Sequence, residues 1–205
     1  MNGNEVEKVH PDERKVMKRS FGCLALVYPT PVWLIGTYDN EGKPNAATVA
    51  WGGVCSSQPP ALAISLRESR YTYDNIMERH AFTVNVPGTA QIEIADYCGI
   101  VSGRNIDKFA ATGLTAVKCD KIDAPYIKEF PMVIECRLIG QSKIGIHTHF
   151  IGEILDVKIE ESLLGEDGLP DILKIDPVIY APENRTYHGI GKILGKAFSM
   201  GKNLK

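Results

Sequence analysis

The stretch Asn45–Thr72, NAATVAWGGVCSSQPPALAISLRESRYT, constrains the fold of this chain more than any other. Ala46-Ala47-Thr48-Val49-Ala50 is a run of small and β-branched residues that reads as a strand ending on Trp51. Gly52-Gly53 breaks that run, and Gln58-Pro59-Pro60 forces a sharp return. A second strand follows, Ala61–Leu66, in which small and large side chains alternate. Two neighbouring strands with small side chains leave room for a flat molecule against their backbones. The second strand empties into Arg67-Glu68-Ser69-Arg70-Tyr71-Thr72, where two guanidiniums sit close to the hydroxyls of Ser69 and Thr72. This is the outline of a cofactor site with an anion-binding end.

The cluster suits a phosphate monoester, whose charge is prohibitive to bury unpaired. Guanidiniums grip such a group as a fork, and each charge-assisted hydrogen bond contributes roughly 1.5–3 kcal/mol. Arg70–His80 reads as a helix, so its first turn adds unpaired N–H groups and the positive end of the dipole. The plainer alternative is an ordinary helix start with Ser69 as N-cap and surface arginines.

The order of Asn45, Trp51, Ser56, Pro59-Pro60 and Arg67-x-x-Arg70-Tyr71-Thr72 resembles the flavin reductase-like family of FMN-binding split barrels. Phe82-Thr83-Val84-Asn85-Val86, Ser102-Gly103-x-x-x-Asp107-Lys108-Phe109, Glu135-Cys136 and His147-x-x-x-x-Gly152-Glu153 extend the resemblance over roughly residues 20–195. It implies a mainly β protein, an antiparallel Greek-key split β-barrel with inserted helices. It also implies an FMN cofactor, NAD(P)H as transient electron donor, and a homodimer with the flavin near the subunit boundary.

Carried onto this chain, the resemblance places the flavin ring along Thr48, Val49, Ala50 and Trp51, with Cys55, Ser56 and Ser65 beside it. The phosphate falls to Arg67, Arg70 and Thr72. Ser102-Gly103 and Lys108 belong to a loop that lies near the flavin in relatives. A helix start near Asn105 would favour an anion there, although Asn105 as a simple N-cap is equally compatible. His147 is the catalytic candidate, because relatives carry Gly-Asp-His where this chain has Gly145-Ile146-His147. The missing aspartate weakens the usual nicotinamide contact. On a strand, His147, His149 and Glu153 share a face and could approach a metal. No spacing supplies a further ligand, so no metal is assigned.

The remaining residues set limits. At 205 residues, one domain is the default, with an N-terminal arm and short helix over 1–19, a barrel over 20–183 and a tail over 184–205. A net charge of −2 gives no general attraction to nucleic acid or acidic membranes. No apolar run approaches a membrane span, and the charged N-terminus points to a soluble cytoplasmic protein. The cysteines, Cys23, Cys55, Cys98, Cys119 and Cys136, include no CxxC pair, which argues against a zinc ribbon. All except Cys55 read as buried thiols.

Elsewhere the pattern predicts a charged helix at Asp12–Arg19 and strands at Cys23–Tyr28, Val32–Asp39, Ala81–Val86, Thr115–Cys119, Met132–Gln141, His147–Ile159 and Val178–Ala181. Helices are expected at Thr89–Cys98 and Asn105–Ala111, with an exposed loop at Cys119–Pro125 and another at Gly165–Pro170. A turn at Asn40–Lys43 should pair Val32–Asp39 antiparallel with the strand from Asn45. Arg185–Lys205 carries five basic residues and no acidic one. Ile190, Ile193, Leu194, Ala197 and Phe198 fit one helical face, but Gly189, Gly191 and Gly195 weaken a free helix. Docking on the barrel or a partner subunit is the expectation.

Three functions remain open at this point. One is an NAD(P)H-dependent flavin reductase; the second is a flavoredoxin-like electron carrier with tightly held FMN and a redox protein partner. The third is a barrel that binds another anion or a protein without turnover. Gly189-Ile190-Gly191 is not a dinucleotide fingerprint, so a nicotinamide donor would bind only transiently.

Overall fold

The computed structural model describes residues 17–204. In chain order the strands and helices are β1 (Thr30–Pro31), β2 (Trp33–Tyr38), β3 (Pro44–Val49), β4 (Gly52–Ser57), β5 (Pro60–Leu66) and α1 (Tyr71–Arg79). Then come β6 (Ala81–Val86), α2 (Ile92–Ile100), α3 (Lys108–Thr112), β7 (Ala116–Lys118), β8 (Pro125–Ile127), β9 (Met132–Ile144) and β10 (His147–Ile159). α4 (Ile172–Ile175), β11 (Ile179–Ala181) and β12 (Thr186–His188) complete the set, with short 3₁₀ turns between.

The main sheet has seven strands in the order β3-β2-β6-β9-β10-β5-β4, every pairing antiparallel. This is the mainly β, antiparallel split barrel that the sequence led us to expect. Its interior holds Ile35, Val49, Leu62, Ile64, Leu66, Phe82, Ile134 and Phe150, joined by Ile76 from α1. Leu62, Ile64 and Leu66 are alternate positions along β5, as Phe82 and Val84 are along β6, as a one-sided interior requires. A second cluster, around Leu34, Ala46, Ala95, Cys98 and Phe109, packs α2 and α3 on the outside of β2 and β3. β6 is buried along its whole length, so its polar residues need internal partners. Thr83 donates to the Pro125 carbonyl at 2.6 Å, and Asn85 both donates to Leu34 O and accepts from Ile127 N.

The two small-residue strands are not neighbours. β3 lies at one edge of the sheet, and β2, β6, β9 and β10 separate it from β5. Curling of the sheet brings β3 against β5, and Ser65 N–H donates to Trp51 O at 2.8 Å where the chain turns from β3 into β4. Gly52-Gly53 does not end strand structure either. It opens β4, which pairs back on β5. A side chain at Gly52 would put its Cβ 2.6 Å from the Trp33 ring, so the close approach needs glycine.

Other expectations shift as well. Asp12–Val16 lies outside the described residues, and 17–19 carry no regular structure. Cys23–Tyr28 forms no strand, and Cys23 is exposed. Cys119–Pro125 is not an open loop: Cys119, Ile122 and Ala124 are buried against Ala81, and Lys121 N–H donates to the buried Glu135 carboxylate at 3.3 Å. β8 and α4 are too short to leave a periodic signal. The tail begins inside the fold, since β12 pairs with β11. Beyond it no amphipathic α-helix forms over 189–204; only a 3₁₀ turn at Met200–Asn203 appears.

Candidate functional site

At the seam where β3 meets β5, a cleft runs from the N-terminus of α1 to the β9–β10 hairpin tip. It consists of two cavities that share Thr48, Leu66 and Arg70. The inner one, about 140 Å³, is lined by Asn45, Ser69, Arg70, Tyr71 and Thr72 on one side. Ser102, Gly103 and Lys108 close the other. The outer one, about 240 Å³, lies among Thr48, Val49, Ala50, Trp51, Ser65, Arg67 and His147.

The inner cavity is built for an anion. Arg70 is the N-cap of α1, and no side chain caps the helix, Ser69 included. Tyr73 N–H turns back onto Arg70 O at 3.0 Å, which leaves the Tyr71 and Thr72 N–H groups for a ligand. Lys108 is 3% exposed and donates to Ala46 O and Cys98 O, each at 2.7 Å. An ammonium has three N–H groups, so one remains for the cavity. Burial lowers the Lys108 pKa to about 8; nearby Cys98 opposes the shift and the Arg70 charge adds to it. Among the described residues no carboxylate pairs with Arg67, Arg70 or Lys108. Arg70 and Lys108 line this cavity without a counter-charge, and Arg67 stands in the adjoining outer one.

Asn45 supplies the complementary feature. Its Nδ2 donates to Thr72 Oγ1 at 2.9 Å, while its Oδ1 is buried without a hydrogen-bond partner. A buried orphan acceptor is rare and calls for a donor. Gly103 sits against it: a Cβ there would lie 2.0 Å from Asn45 Oδ1. Tyr71 is held in place by its own bond to Asp39 Oδ2 at 2.8 Å and by Arg104 stacked 5.0 Å over its ring. A ligand that places a dianion among the cations and a hydroxyl at Asn45 would satisfy every group. A phosphate ester of a polyol chain does so, and the residues present fit the tail of FMN.

The outer cavity is different in kind. Thr48, Val49, Ala50 and Ser65 give it small walls on one part, and Trp51, Leu66, Arg67, Arg70 and His147 complete the lining. Partial burial, then the Arg67 charge, keeps the His147 pKa below its ordinary value, so the imidazole is neutral at pH 7. His149 stands instead with its Nδ1 2.9 Å from Ser65 Oγ, and Glu153 pairs with Arg137 at 2.6 Å. Two of the three residues that could have met at a metal, His149 and Glu153, are thus engaged separately, and no cluster of three or more His, Cys, Asp or Glu side chains suited to a metal occurs among the described residues.

Most of the residues singled out from sequence line the cleft: Thr48, Val49, Ala50, Trp51, Ser65, Arg67, Arg70, Thr72, Ser102, Gly103, Lys108 and His147. Cys55 and Ser56 do not. They lie on β4 at its register shift, Cys55 exposed, and Ser56 Oγ accepts from Gln58 N instead. The helix expected at Asn105 starts at Lys108, and Asp107 caps it by accepting from Ala110 N. A carboxylate at that end disfavours an anion, so Lys108 reaches the cavity by its own length and not through helix polarity. Asn45, Tyr71 and Leu66 carry no periodic signal of a site; the close approach of Gly103, 58 positions from Asn45, brings out Asn45 and Tyr71, and Leu66 joins them only as part of the lining.

Residues 25–191 match the family described as flavin reductase like domain. The structure is similar to flavoredoxin of Desulfovibrio vulgaris (Miyazaki F), with 56% identity, 91% of this chain and 100% of that one covered, and a TM-score of 0.87. It is also similar to flavoredoxin from Methanosarcina acetivorans, with 32% identity over 93% of this chain and 100% of that one, at a TM-score of 0.84. An uncharacterized protein of Archaeoglobus fulgidus is 35% identical over 149 residues, 73% of this chain and 82% of its own.

Proposed function

This chain belongs to the flavin reductase-like domain family, and on that premise we propose that it is an FMN-binding oxidoreductase that receives electrons and passes them to a second redox protein. One observation carries the reading: Arg70 and Lys108, without a carboxylate partner among the described residues, and an uncapped helix end surround a cavity that also holds the orphan Asn45 Oδ1, with Arg67 in the adjoining cavity. One anion site of this size favours a mononucleotide over a dinucleotide. Arg67, Arg70, Ser69, Thr72 and Lys108 would hold the phosphate, and Asn45 Oδ1 would accept from a ribityl hydroxyl. The backbone of Thr48–Trp51 would border the ring.

When bound, FMN supplies two-electron acceptance and one-electron release. The residues around it exclude water, fix orientation and bias charge. Backbone N–H groups along the seam favour negative charge on the ring. His147, uncharged at pH 7, orients a hydrogen-bonding donor at the mouth without adding charge of its own. NAD(P)H is the proposed small-molecule donor, positioned for hydride transfer by proximity more than by acid–base help.

A second reading is favoured by specific observations: a carrier with firmly held FMN whose donor is itself a protein. The 56% identity to a flavoredoxin supports it, as does exposed Ile146 in the place of an aspartate beside His147. Anaerobic stopped-flow mixing with NADH and NADPH tests the choice. Bleaching of the bound flavin within a second supports the reductase; slower bleaching with fast reduction by a ferredoxin supports the carrier. A purified protein that is colourless and binds no added FMN overturns both and leaves a non-catalytic barrel. A homodimer in the cytoplasm completes the proposal; among the described residues no helix is long and apolar enough to cross a membrane.

A further inference from the structure

Ser65 and His149 stand opposite each other in the β5–β10 pairing, with Ser65 Oγ 2.9 Å from His149 Nδ1. Ser65 lines the outer cavity, while the half-buried His149 lies outside the lining. The pair therefore has one end in the cavity and one beyond it. The far end meets water. Among the described residues only Nδ1 of this imidazole is hydrogen-bonded, and the one buried side-chain nitrogen or oxygen without a partner is Asn45 Oδ1. His149 Nε2 is thus unpaired without being buried, and it exchanges with solvent.

The surroundings narrow what the pair can do. Ser142 of β9 is in register with His149, His147 lies two residues before it on the same face, and Arg67 two beyond Ser65. Glu153, further along β10, is engaged with Arg137. No carboxylate orients the imidazole, so the pair lacks the third member that would make Ser65 a nucleophile. Nor do its neighbours in the cavity move protons as readily. The Thr48 hydroxyl is committed to Ala95 O, and Arg67 and Arg70 hold their protons at any working pH.

Electron transfer in the function proposed above requires a proton to move. When two one-electron centres of a redox partner take the electron pair of reduced FMN, the ring is oxidised and each centre gains one electron. The proton of the ring N–H has to leave separately. We infer that Ser65 and His149 are the path by which it reaches water. His149 begins neutral with its proton on Nε2, and Ser65 donates to Nδ1. Ser65 Oγ takes the proton as the ring N–H bond breaks, the hydroxyl's own proton passes to Nδ1, and Nε2 releases its proton to solvent. The reverse sequence brings a proton in when electrons arrive singly. The path rests on the FMN reading and holds whether the donor is NAD(P)H or a protein.

The test uses the full chain loaded with FMN, photoreduced without air and mixed in a stopped-flow instrument with saturating ferricyanide, a one-electron oxidant. Return of the oxidised flavin absorbance should slow by at least about tenfold in Ser65→Ala and in His149→Ala, short of the roughly 10²–10⁴-fold effect of positioned acid–base groups because water substitutes in part. FMN affinity should be unchanged in both. Added imidazole should restore the rate in His149→Ala, which a merely structural histidine would not allow. In the flavin-free protein, nitrogen NMR of labelled histidine should show the His149 Nδ1 signal shifting on Ser65→Ala. Unchanged reoxidation in both variants, a slow His149→Ala that imidazole does not speed, or an Nδ1 signal indifferent to Ser65→Ala overturns the path and leaves the FMN reading intact. A chain that binds no FMN fails at that earlier reading and takes the path with it.

Discussion

The two ends of the cleft are made differently, although the same strand, β3, passes both. The inner end is enclosed and polar: Lys108, Thr72 and Asn45 are 3%, 1% and 4% exposed, and each is fixed by hydrogen bonds to a different element. The outer end has few functional side chains and borders an exposed hairpin tip, with Ile144 and Ile146 64% and 65% exposed. A ligand that spans both would take its affinity from preorganised charge at one end. At the other it would leave a face open to reaction partners. Binding energy is thus spent away from the reacting atoms, where it positions without blocking.

Removing the charge should have the largest effect. Arg67→Ala with Arg70→Ala deletes two charge-assisted contacts, roughly 1.5–3 kcal/mol each, and should weaken FMN by about 10²–10⁴-fold while leaving riboflavin nearly unchanged. Paired fluorescence titrations read the difference. Equal loss of both flavins would erase the distinction between the two ends.

The next largest effect follows from Lys108. In the folded, ligand-free chain its pKa is about 8, below the ordinary lysine value near 10.5. A bound phosphate dianion favours the protonated form, so FMN affinity should be level between about pH 6.5, above the phosphate's own second pKa of about 6, and pH 8, and then fall by up to about tenfold per pH unit. Riboflavin should show no such slope. Over the same window the unfolded chain holds a proton that the folded chain has lost, so this residue's contribution to ligand-free stability rises with pH from 8 towards 10.5. Calorimetry in buffers of different ionisation enthalpy should detect proton uptake on FMN binding near pH 8.5; none would remove Lys108 from the anion site.

His147→Ala probes the open end alone. The rate of reduction by NAD(P)H should fall by about tenfold, within the range for a positioning hydrogen bond, with FMN affinity within about twofold. Loss of the cofactor instead would move His147 into the inner end. Chelator should do least: activity should be unchanged, because His149 and Glu153 are engaged with Ser65 and Arg137.

What the sequence shows of this molecule follows the range of the interactions. β2, β3, β5, β6 and β10 read from alternation and turn chemistry, which are local. The seam does not, because β3 and β5 meet only when the sheet curls, and no pattern within either strand records its distant edge partner. Arg67, Arg70 and Thr72 are legible because they adjoin in sequence at a helix start. Asn45 is legible only as the first position of the family motif; its part as an acceptor is not, because the unmatched oxygen exists only once Gly103 is folded against it. Cys55 and Ser56 mislead by adjacency: they follow Trp51 closely, but β4 carries them along the far edge of β5. The segment after β12 suggests a helix by spacing, and its glycines outweigh that pattern.

The central claim is that the seam between β3 and β5 holds a phosphate-tailed ring with its phosphate at the start of α1. A crystal structure of the protein soaked with FMN tests it most directly. The account predicts phosphate oxygens within hydrogen-bond distance of Arg70, Thr72 and Lys108, a ribityl hydroxyl on Asn45 Oδ1, and the ring along Thr48–Trp51. Phosphate bound elsewhere, for example along β4 near Cys55, with the Lys108 cavity filled by solvent, would contradict it.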